Sequence, residues 1–216
     1  MNTTKKILCA VCAFVMVIGL MAGCAQEEQV PQVPQVPQIA QSASVTVTVG
    51  DGEAVTKQVA YIYDDAGNLI KEIFTDAEGN EVKNFYIYND ENLCVNDIMN
   101  NEDGTKDKHK FTYRDGILVK SAHTTPAGSV NTTEYTYDEA GVRTGYTLTY
   151  ANKEVQTGVY TYNEAGQLVN LTCSGVNPCV IDYEYNDNGD LAKESVTVDG
   201  VVTVTTYEYS YVPVAE

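Results

Sequence analysis

The chain contains 216 residues, with 13 Lys and Arg against 30 Asp and Glu and a formal net charge of −17. Nucleic acid and anionic lipid are therefore excluded as expected direct partners, because binding to either needs a basic surface. The chain contains no Trp, only four Phe and 16 Tyr, so tyrosine is expected to supply most of the aromatic contacts.

Residues 1–23 have the features of a secretory targeting segment. Two lysines precede an apolar run from Ile7 to Met21, which is short for a membrane span. Residues 20–24 then read Leu-Met-Ala-Gly-Cys and resemble the lipobox of bacterial lipoproteins. The resemblance implies cleavage just before Cys24 and diacylglyceryl modification of Cys24 with fatty acids such as palmitate, which would anchor the protein outside the cytoplasm on the bacterial membrane. The alternative is an ordinary signal peptide in which Cys24 is incidental.

Residues 24–44 are predicted to form an extended tether that begins at the lipid-bearing cysteine. Pro31, Pro34 and Pro37 recur every third residue among Gln, Val and Ala, which prevents a helix and leaves few large apolar side chains. A polyproline II segment of about 20 residues reaches on the order of 60 Å. The alternative is a Pro-rich ligand for a partner domain. Residues 45–216 are predicted to form a single domain.

Seven aromatic pairs recur along this domain. In each pair the second member, always Tyr, follows the first by two positions, and successive pairs start 25, 25, 24, 25, 23 and 24 residues apart. The pairs are Tyr61 and Tyr63, Tyr86 and Tyr88, Phe111 and Tyr113, Tyr135 and Tyr137, Tyr160 and Tyr162, Tyr183 and Tyr185, and Tyr207 and Tyr209. Aromatic residues two positions apart lie on one face of a strand, and the steady period indicates a repeat architecture.

Turn residues follow the aromatic pairs. After Tyr63 the chain reads Asp-Asp-Ala-Gly, and similar stretches follow Tyr137, Tyr162 and Tyr185. Asp and Asn bond the backbone locally and Gly accepts a positive φ, so each repeat is predicted to be one β-hairpin. One opening strand, seven aromatic strands and six return strands give 14. The predicted fold is therefore all-β, an antiparallel meander of about seven hairpins in a strongly curved sheet or open barrel, since flat sheets of more than about ten strands tend to curl or split.

The pattern Tyr-x-Tyr, Asp or Asn, x-x-Gly-x-Leu resembles the YD repeat of the Rhs family of bacterial cell-surface and toxin-shell proteins. The match covers residues 54–211 and is best for the copies that start at Tyr61, Tyr160 and Tyr183. In that family Arg often precedes the first aromatic residue, whereas no copy in this chain has Arg at that position. The loops after Tyr88 and Tyr113 also read as one residue shorter. The resemblance implies a β-repeat scaffold and no catalytic chemistry.

The tyrosine face is predicted to be the buried one. The residue between the paired rings changes from Ile62 and Ile87 to Glu184 and Glu208 along the chain, so the opposite face becomes more polar. The rings are expected to form a ladder of cross-strand contacts. The alternative is an aromatic platform on which sugar rings stack. Tyr146, Tyr150 and Tyr211 lie outside the repeat register and are better candidates for a surface contact.

Two cysteines are candidates for a disulfide. Cys9 and Cys12 leave with the signal segment and Cys24 is the lipid site, so three remain. Cys173 and Cys179 flank a predicted hairpin turn, close enough to bond in an oxidising exterior. The alternative is two reduced, partly buried thiols.

No enzymatic activity is predicted. The two histidines, His109 and His123, lack metal-binding spacing and are expected to be strand or loop surface groups, and nucleophile-elbow, zinc, phosphate-loop and dinucleotide motifs are all missing. No cofactor and no metal site are expected, although acidic turns such as Asp187 to Asp190 leave a calcium site open as an alternative.

The predicted function is that of a surface binding or adhesion module for a glycan or a protein, as a monomer attached through its lipid anchor. Two alternatives remain open. One is a structural envelope scaffold without a ligand, and the other is a hydrolase whose carboxylate pair carries no sequence signature.

Overall fold

The computed structural model describes residues 38–213. The signal segment, the lipobox with Cys24 and residues 24–37 of the predicted tether lie outside the described residues, so the structure does not bear on them.

Within residues 38–213 the structure contains fourteen β-strands and no helix that could cross a membrane. The strands are β1 (Gln38–Val49), β2 (Val55–Tyr63), β3 (Leu69–Thr75), β4 (Glu81–Tyr88), β5 (Cys94–Asn100), β6 (Lys106–Arg114), β7 (Ile117–Thr124), β8 (Val130–Tyr137), β9 (Arg143–Thr149), β10 (Val155–Tyr162), β11 (Leu168–Gly175), β12 (Cys179–Tyr185), β13 (Leu191–Val198) and β14 (Val201–Pro213). The predicted all-β meander of hairpins is confirmed.

The sheet closes into a barrel. Each strand pairs antiparallel with its sequence neighbours, and β1 pairs with β14, with Ala43 opposite Tyr209 and Val45 opposite Tyr207. Closure removes the two edges that an open sheet would expose as unpaired N–H and C=O groups. The barrel is thus closed rather than open, and β1 begins at Gln38, so residues 38–44 belong to the barrel rather than to the tether predicted to run to residue 44.

The turns after the aromatic strands follow the predicted chemistry. The Asp64 carboxylate accepts hydrogen bonds from the N–H groups of Ala66 and Asn68 at 3.0 and 2.8 Å, and Gly67 takes a φ of 83°. Asn89 caps the next such turn in the same way and closes a loop of equal length. The loop after Tyr88 is therefore not shortened, because Cys94 rather than Leu93 occupies the position of Leu69.

A β-bulge recurs in six hairpins at the second tyrosine. Ile62 lies opposite Lys71, whereas Tyr63 lies opposite Leu69, so Ile70 is the extra residue. The same shift occurs at Tyr88, Tyr113, Tyr137, Tyr162 and Tyr185. Bulges increase local twist and bend a strand, so this repeated irregularity supplies curvature at one end of the barrel.

The second tyrosines connect neighbouring hairpins. The Tyr88 hydroxyl donates to the Leu69 carbonyl oxygen at 3.0 Å, where the previous return strand begins. Equivalent hydrogen bonds run from Tyr63 to Ala40, Tyr113 to Cys94, Tyr137 to Leu118, Tyr185 to Leu168 and Tyr209 to Leu191. A tyrosine that buries its ring and bonds its hydroxyl to a carbonyl satisfies both ends of the side chain, which explains why the repeat requires Tyr rather than Phe at this position.

Candidate functional site

The repeat aromatics face the barrel interior. The first ring of a hairpin lies opposite a buried residue of the return strand, as Tyr61 does opposite Glu72 and Tyr160 opposite Leu171. Tyr146 is 4% exposed and belongs to the apolar cluster on β9 to β13, so its prediction as a surface contact is wrong. An exterior platform for sugar rings therefore has to be built from other side chains.

One half of the interior, from β3 to β7, is polar. The Tyr86 hydroxyl donates to Glu72 Oε2 at 2.7 Å, and the Asn84 amide lies 3.4 Å from the same oxygen. Burial raises the pKa of the Glu72 carboxyl, and the same burial together with Glu72 raises the pKa of the Tyr86 hydroxyl. Both groups therefore keep their protons more readily than in water.

The two histidines continue this polar half, so their prediction as surface groups is wrong. His109 Nδ1 lies 2.6 Å from Asp97 Oδ1, and His123 Nε2 lies 2.5 Å from Asp107 Oδ1. The two imidazole rings stack with centroids 4.6 Å apart. His109 faces inward because it shares the strand parity of Phe111. A carboxylate on one ring nitrogen fixes the orientation of each imidazole.

The apolar half of the interior contains a buried cation. The Arg143 guanidinium carbon lies 4.4 Å from the ring centroid of Tyr135 and 5.8 and 5.9 Å from those of Tyr137 and Tyr160. Its Nε also donates to the Tyr137 hydroxyl oxygen at 3.2 Å. Cation–π contacts of this kind favour a charge that has left water, so this arginine serves the core rather than the surface.

A second buried carboxyl group, that of Glu194, differs from Glu72 because it has no hydrogen-bond partner among residues 38–213. Glu194 is fully buried on β13, and neither of its carboxyl oxygens bonds any residue in the described range. It lies opposite Tyr183 on one side and Thr205 on the other, and their hydroxyls, with that of Thr203, are likewise buried without partners among residues 38–213. Burial raises the pKa of the Glu194 carboxyl to about 7.

The outward face of β3 to β7 is basic. We call its seven outward cations the basic wall: Lys71, Lys83, Lys106, Lys108, Lys110, Arg114 and Lys120. They are seven of the eleven Lys and Arg that follow the two in the signal segment, since the chain has 13 in all. Phe85 and Ile87, 38% and 45% exposed, add apolar surface beside them, and Lys71 Nζ lies 5.8 Å from the Phe85 ring centroid.

Two open clefts lie at opposite ends of the basic wall. The first, about 570 Å³, is lined by Lys83, Phe85 and Asn100 together with residues of the β3–β4 and β5–β6 turns. The second, about 710 Å³, is lined by Lys110, Thr112 and the β4–β5 and β6–β7 turns. Exposed apolar, amide and cationic groups and concave surface therefore coincide on this side of the barrel, which makes it the candidate binding site.

The clefts are separate from the buried acids. Glu72, Asp97 and Glu194 do not line either of these two clefts. No group of three or more His, Cys, Asp or Glu side chains in residues 38–213 is arranged to hold a metal ion. The acids that do line the clefts come from β4 and from the turns: Asp76, Glu81 and Glu102 in the first cleft, and Glu91 and Asp115 in the second.

Cys173 and Cys179 are joined by a disulfide between β11 and β12, with Cα atoms 4.8 Å apart. The two residues lie directly opposite each other in the strand register. Cys94 is a free, buried thiol whose pKa burial raises to about 11, so it is expected to react slowly in the folded protein.

Thiol titration checks the disulfide. For residues 25–216, denatured without reductant, we expect one free thiol, rising to three after reduction, because only Cys94 is unpaired. The Cys94→Ser variant should give none before reduction. Three free thiols in the unreduced protein would contradict the pairing.

No family model matches this chain. No curated protein matches it in sequence. Solved structures that match in backbone include a porin-like protein from Bacteroides uniformis, with a TM-score of 0.41, 13% identity, and coverage of 81% of this chain and 99% of that one. Others are the Photorhabdus luminescens Tc holotoxin pore (TM-score 0.35, 14% identity, 72% and 9% coverage) and a structure of TcdB2, TccC3 and Cdc42 (0.30, 17%, 65% and 7%). The chain thus spans less than a tenth of each toxin chain, and these likenesses carry no argument about function.

Sequence reasoning missed the basic wall because net charge averages over the whole chain. The signal was present in the segment Lys106-x-Lys108-x-Lys110, where period-2 spacing places three cations on one face of a strand. The alternation of Lys106, Lys108 and Lys110 with Asp107 and His109 identifies the outward face directly once β6 is recognised as a strand.

Proposed function

We propose that this protein is a lipid-anchored, extracytoplasmic β-barrel that acts as a binding or adhesion module for a glycan or a protein at the bacterial cell surface. The observation that carries the proposal is the coincidence, on β3 to β7, of exposed cations, exposed apolar side chains and two open clefts. Aromatic and amide groups that line a concave surface are the side chains that glycan and protein ligands use for contact.

The targeting sequence supports the location. A lipobox that ends at Cys24 and a Pro-rich segment after it would place the barrel outside the cytoplasm on the predicted tether. Two acyl chains give stable anchoring, whereas a single chain gives only reversible attachment. A disulfide between Cys173 and Cys179 also suits an oxidising compartment.

Substitution of Cys24 tests the anchor. The Cys24→Ala variant is expected to lose incorporation of labelled palmitate and to leave the membrane fraction, because the thiol is the proposed acylation site. The Cys12→Ala variant is the matched control, since Cys12 lies in the segment that would be removed, and it should label normally. Undiminished labelling of Cys24→Ala would contradict the proposed anchor.

A structural envelope scaffold is the second candidate. It is favoured by the use of the repeat aromatics inside the barrel, where six of the second-position tyrosines bond backbone carbonyl groups. A protein whose repeats only hold its own hairpins together needs no ligand. The two candidates differ in what the outward face of β3 to β7 does.

A pull-down separates the two candidates. Full-length protein in neutral detergent is passed over immobilised wall polysaccharide and over surface-protein extract. Binding predicts retention that falls in a Lys83→Gln/Phe85→Ala variant, because both side chains line the first cleft. Val159→Ala is the matched control, since Val159 is 61% exposed on β10, away from the clefts. Retention on neither matrix would favour the scaffold.

A further inference from the structure

We infer that the basic wall binds an extended anionic polysaccharide, laid across β5 to β7 between the two clefts. This inference rests on the proposed binding function and specifies its ligand. It follows from the arrangement of charges on the outward face of the barrel, which differs in sign from the chain as a whole.

Strand β6 presents a regular ladder of cations. Lys106, Lys108, Lys110 and Arg114 all point outward and are exposed, while Asp107 and His109 point inward. Alternate residues of a strand are spaced by roughly 6.8 Å, so Lys106, Lys108 and Lys110 offer charges at even intervals, and Arg114 follows at twice that interval, after Thr112. A linear polyanion can meet several such charges at once, whereas a compact ligand meets one or two.

These cations are available for a ligand. Among residues 38–213, Lys83 pairs with Glu81 and Lys120 with Glu134, but Lys106, Lys108, Lys110 and Arg114 have no ion-pair partner. The outward-facing positions of β5 to β7 carry no carboxylate within the described range. The acids beneath this wall, Asp97 and Asp107, point inward and bond histidines.

The acidic turns adjoin the two ends of the ladder, since Lys106 is three residues from Asp103 and Arg114 is next to Asp115, but they lie far from its middle. Lys108 is five residues from Asp103, and Lys110 is five residues from Asp115, a separation of roughly 16 Å along an extended strand. The Debye length is about 8 Å at physiological ionic strength. A local positive potential therefore persists at the centre of the wall although the protein as a whole is acidic.

The neighbouring groups favour a polysaccharide over a phospholipid surface. Phe85 offers a partly exposed ring beside Lys71, and the amide of Asn96 lies on the same face of the barrel, opposite Lys110; a ring and an amide are groups that stack on and bond to sugars. The ladder on β6 lies five strands from β1. At about 4.8 Å per strand this is roughly 24 Å around the barrel.

Dextran sulfate and dextran form a matched pair of probes, because they share a glucan backbone and differ in charge. Full-length protein in neutral detergent is expected to bind dextran sulfate at low salt and not dextran. The Lys108→Gln/Lys110→Gln variant should bind dextran sulfate roughly tenfold more weakly, with a shallower dependence on salt. The Lys153→Gln/Lys193→Gln variant loses the same formal charge away from the wall and should bind within about twofold of the original protein.

Each other outcome overturns the inference. Equal loss in both double variants would mean that net charge alone matters, and equal binding of dextran would mean that charge does not matter. Tighter binding to single-stranded oligo-dT, or to vesicles of phosphatidylglycerol, would assign the wall to a nucleic acid or to a membrane. If the protein does not bind dextran sulfate but is still retained on the immobilised surface-protein extract, the inference fails and the binding function stands. If the protein binds neither, the inference and the binding function are both wrong.

Discussion

Replacing Glu194 with glutamine is expected to stabilise the barrel by about 3 kcal/mol above pH 7 and to leave its stability almost unchanged near pH 4. Glu194 is fully buried on β13, and burial raises the pKa of its carboxyl from 4.5 to about 7. Glutamine has the shape of the protonated carboxyl and carries no charge at any pH, so it removes only the cost of ionisation.

The direction of the pH effect follows from the raised pKa. Below pH 4.5 the carboxyl is protonated in both the folded and the unfolded protein, so ionisation costs nothing. Between pH 4.5 and about 7 the unfolded chain releases the proton while the folded protein retains it, and stability falls by about 1.4 kcal/mol per pH unit. Above pH 7 the loss is complete and constant. No described residue bonds the carboxyl oxygens to offset it.

Urea denaturation from pH 4 to pH 8, followed by circular dichroism, measures this difference. Glu208→Gln is the matched control, because Glu208 is exposed on the outward face of β14, and it should not change the pH dependence in this range. A Glu194→Gln variant that is less stable than the original protein at pH 8 would contradict the prediction and would indicate that the carboxylate stabilises the fold in its charged form.

Hairpins, turns and strand number were predictable because their determinants are local. Two rings at positions such as 61 and 63 share a strand face, and Asp64 with Gly67 makes a turn through bonds within five residues. Closure was not predictable in this way. It depends on the pairing of β1 with β14, strands at opposite ends of the described chain, and on seven residues from Gln38 to Ser44 whose Gln, Ser and Ala composition resembles a tether.

The buried acids escaped prediction because the bulges change strand parity. Strict alternation from Leu69 would place Lys71 inside and Glu72 outside the barrel. The extra residue Ile70 shifts the register, so Leu69 faces Tyr63 and Glu72 faces Tyr61. The same shift places Glu194 opposite Tyr183. A bulge depends on the pairing of two strands, which composition alone does not reveal.

Replacing Gly158 with alanine is expected to destabilise the barrel by about 2 to 3 kcal/mol. Gly158 on β10 lies opposite Tyr146 on β9, and a Cβ atom at this position would lie 2.0 Å from Cε1 of the Tyr146 ring. The ring cannot move aside freely, because it is 4% exposed and its hydroxyl bonds Gln156 Oε1 at 3.0 Å and lies 3.4 Å from Cys173 Sγ. The free energy lost by displacing the Tyr146 ring is expected to exceed the stabilisation that alanine gives by lowering the conformational entropy of the unfolded chain.

A double-mutant cycle with Tyr146→Leu isolates the steric cause. The shorter side chain removes the ring atoms that a Cβ would meet, so Gly158→Ala should cost less than about 0.5 kcal/mol in that background, a coupling energy of about 2 kcal/mol. Thr157→Ala, on the exposed neighbour in β10, controls for strand propensity. A Gly158→Ala protein as stable as the original would show that the ring does not occupy this space, and an unchanged cost in the Tyr146→Leu background would attribute the effect to the backbone. Either result would remove the role assigned to glycine here, which is to let the Tyr146 ring cover the backbone of the adjacent strand β10.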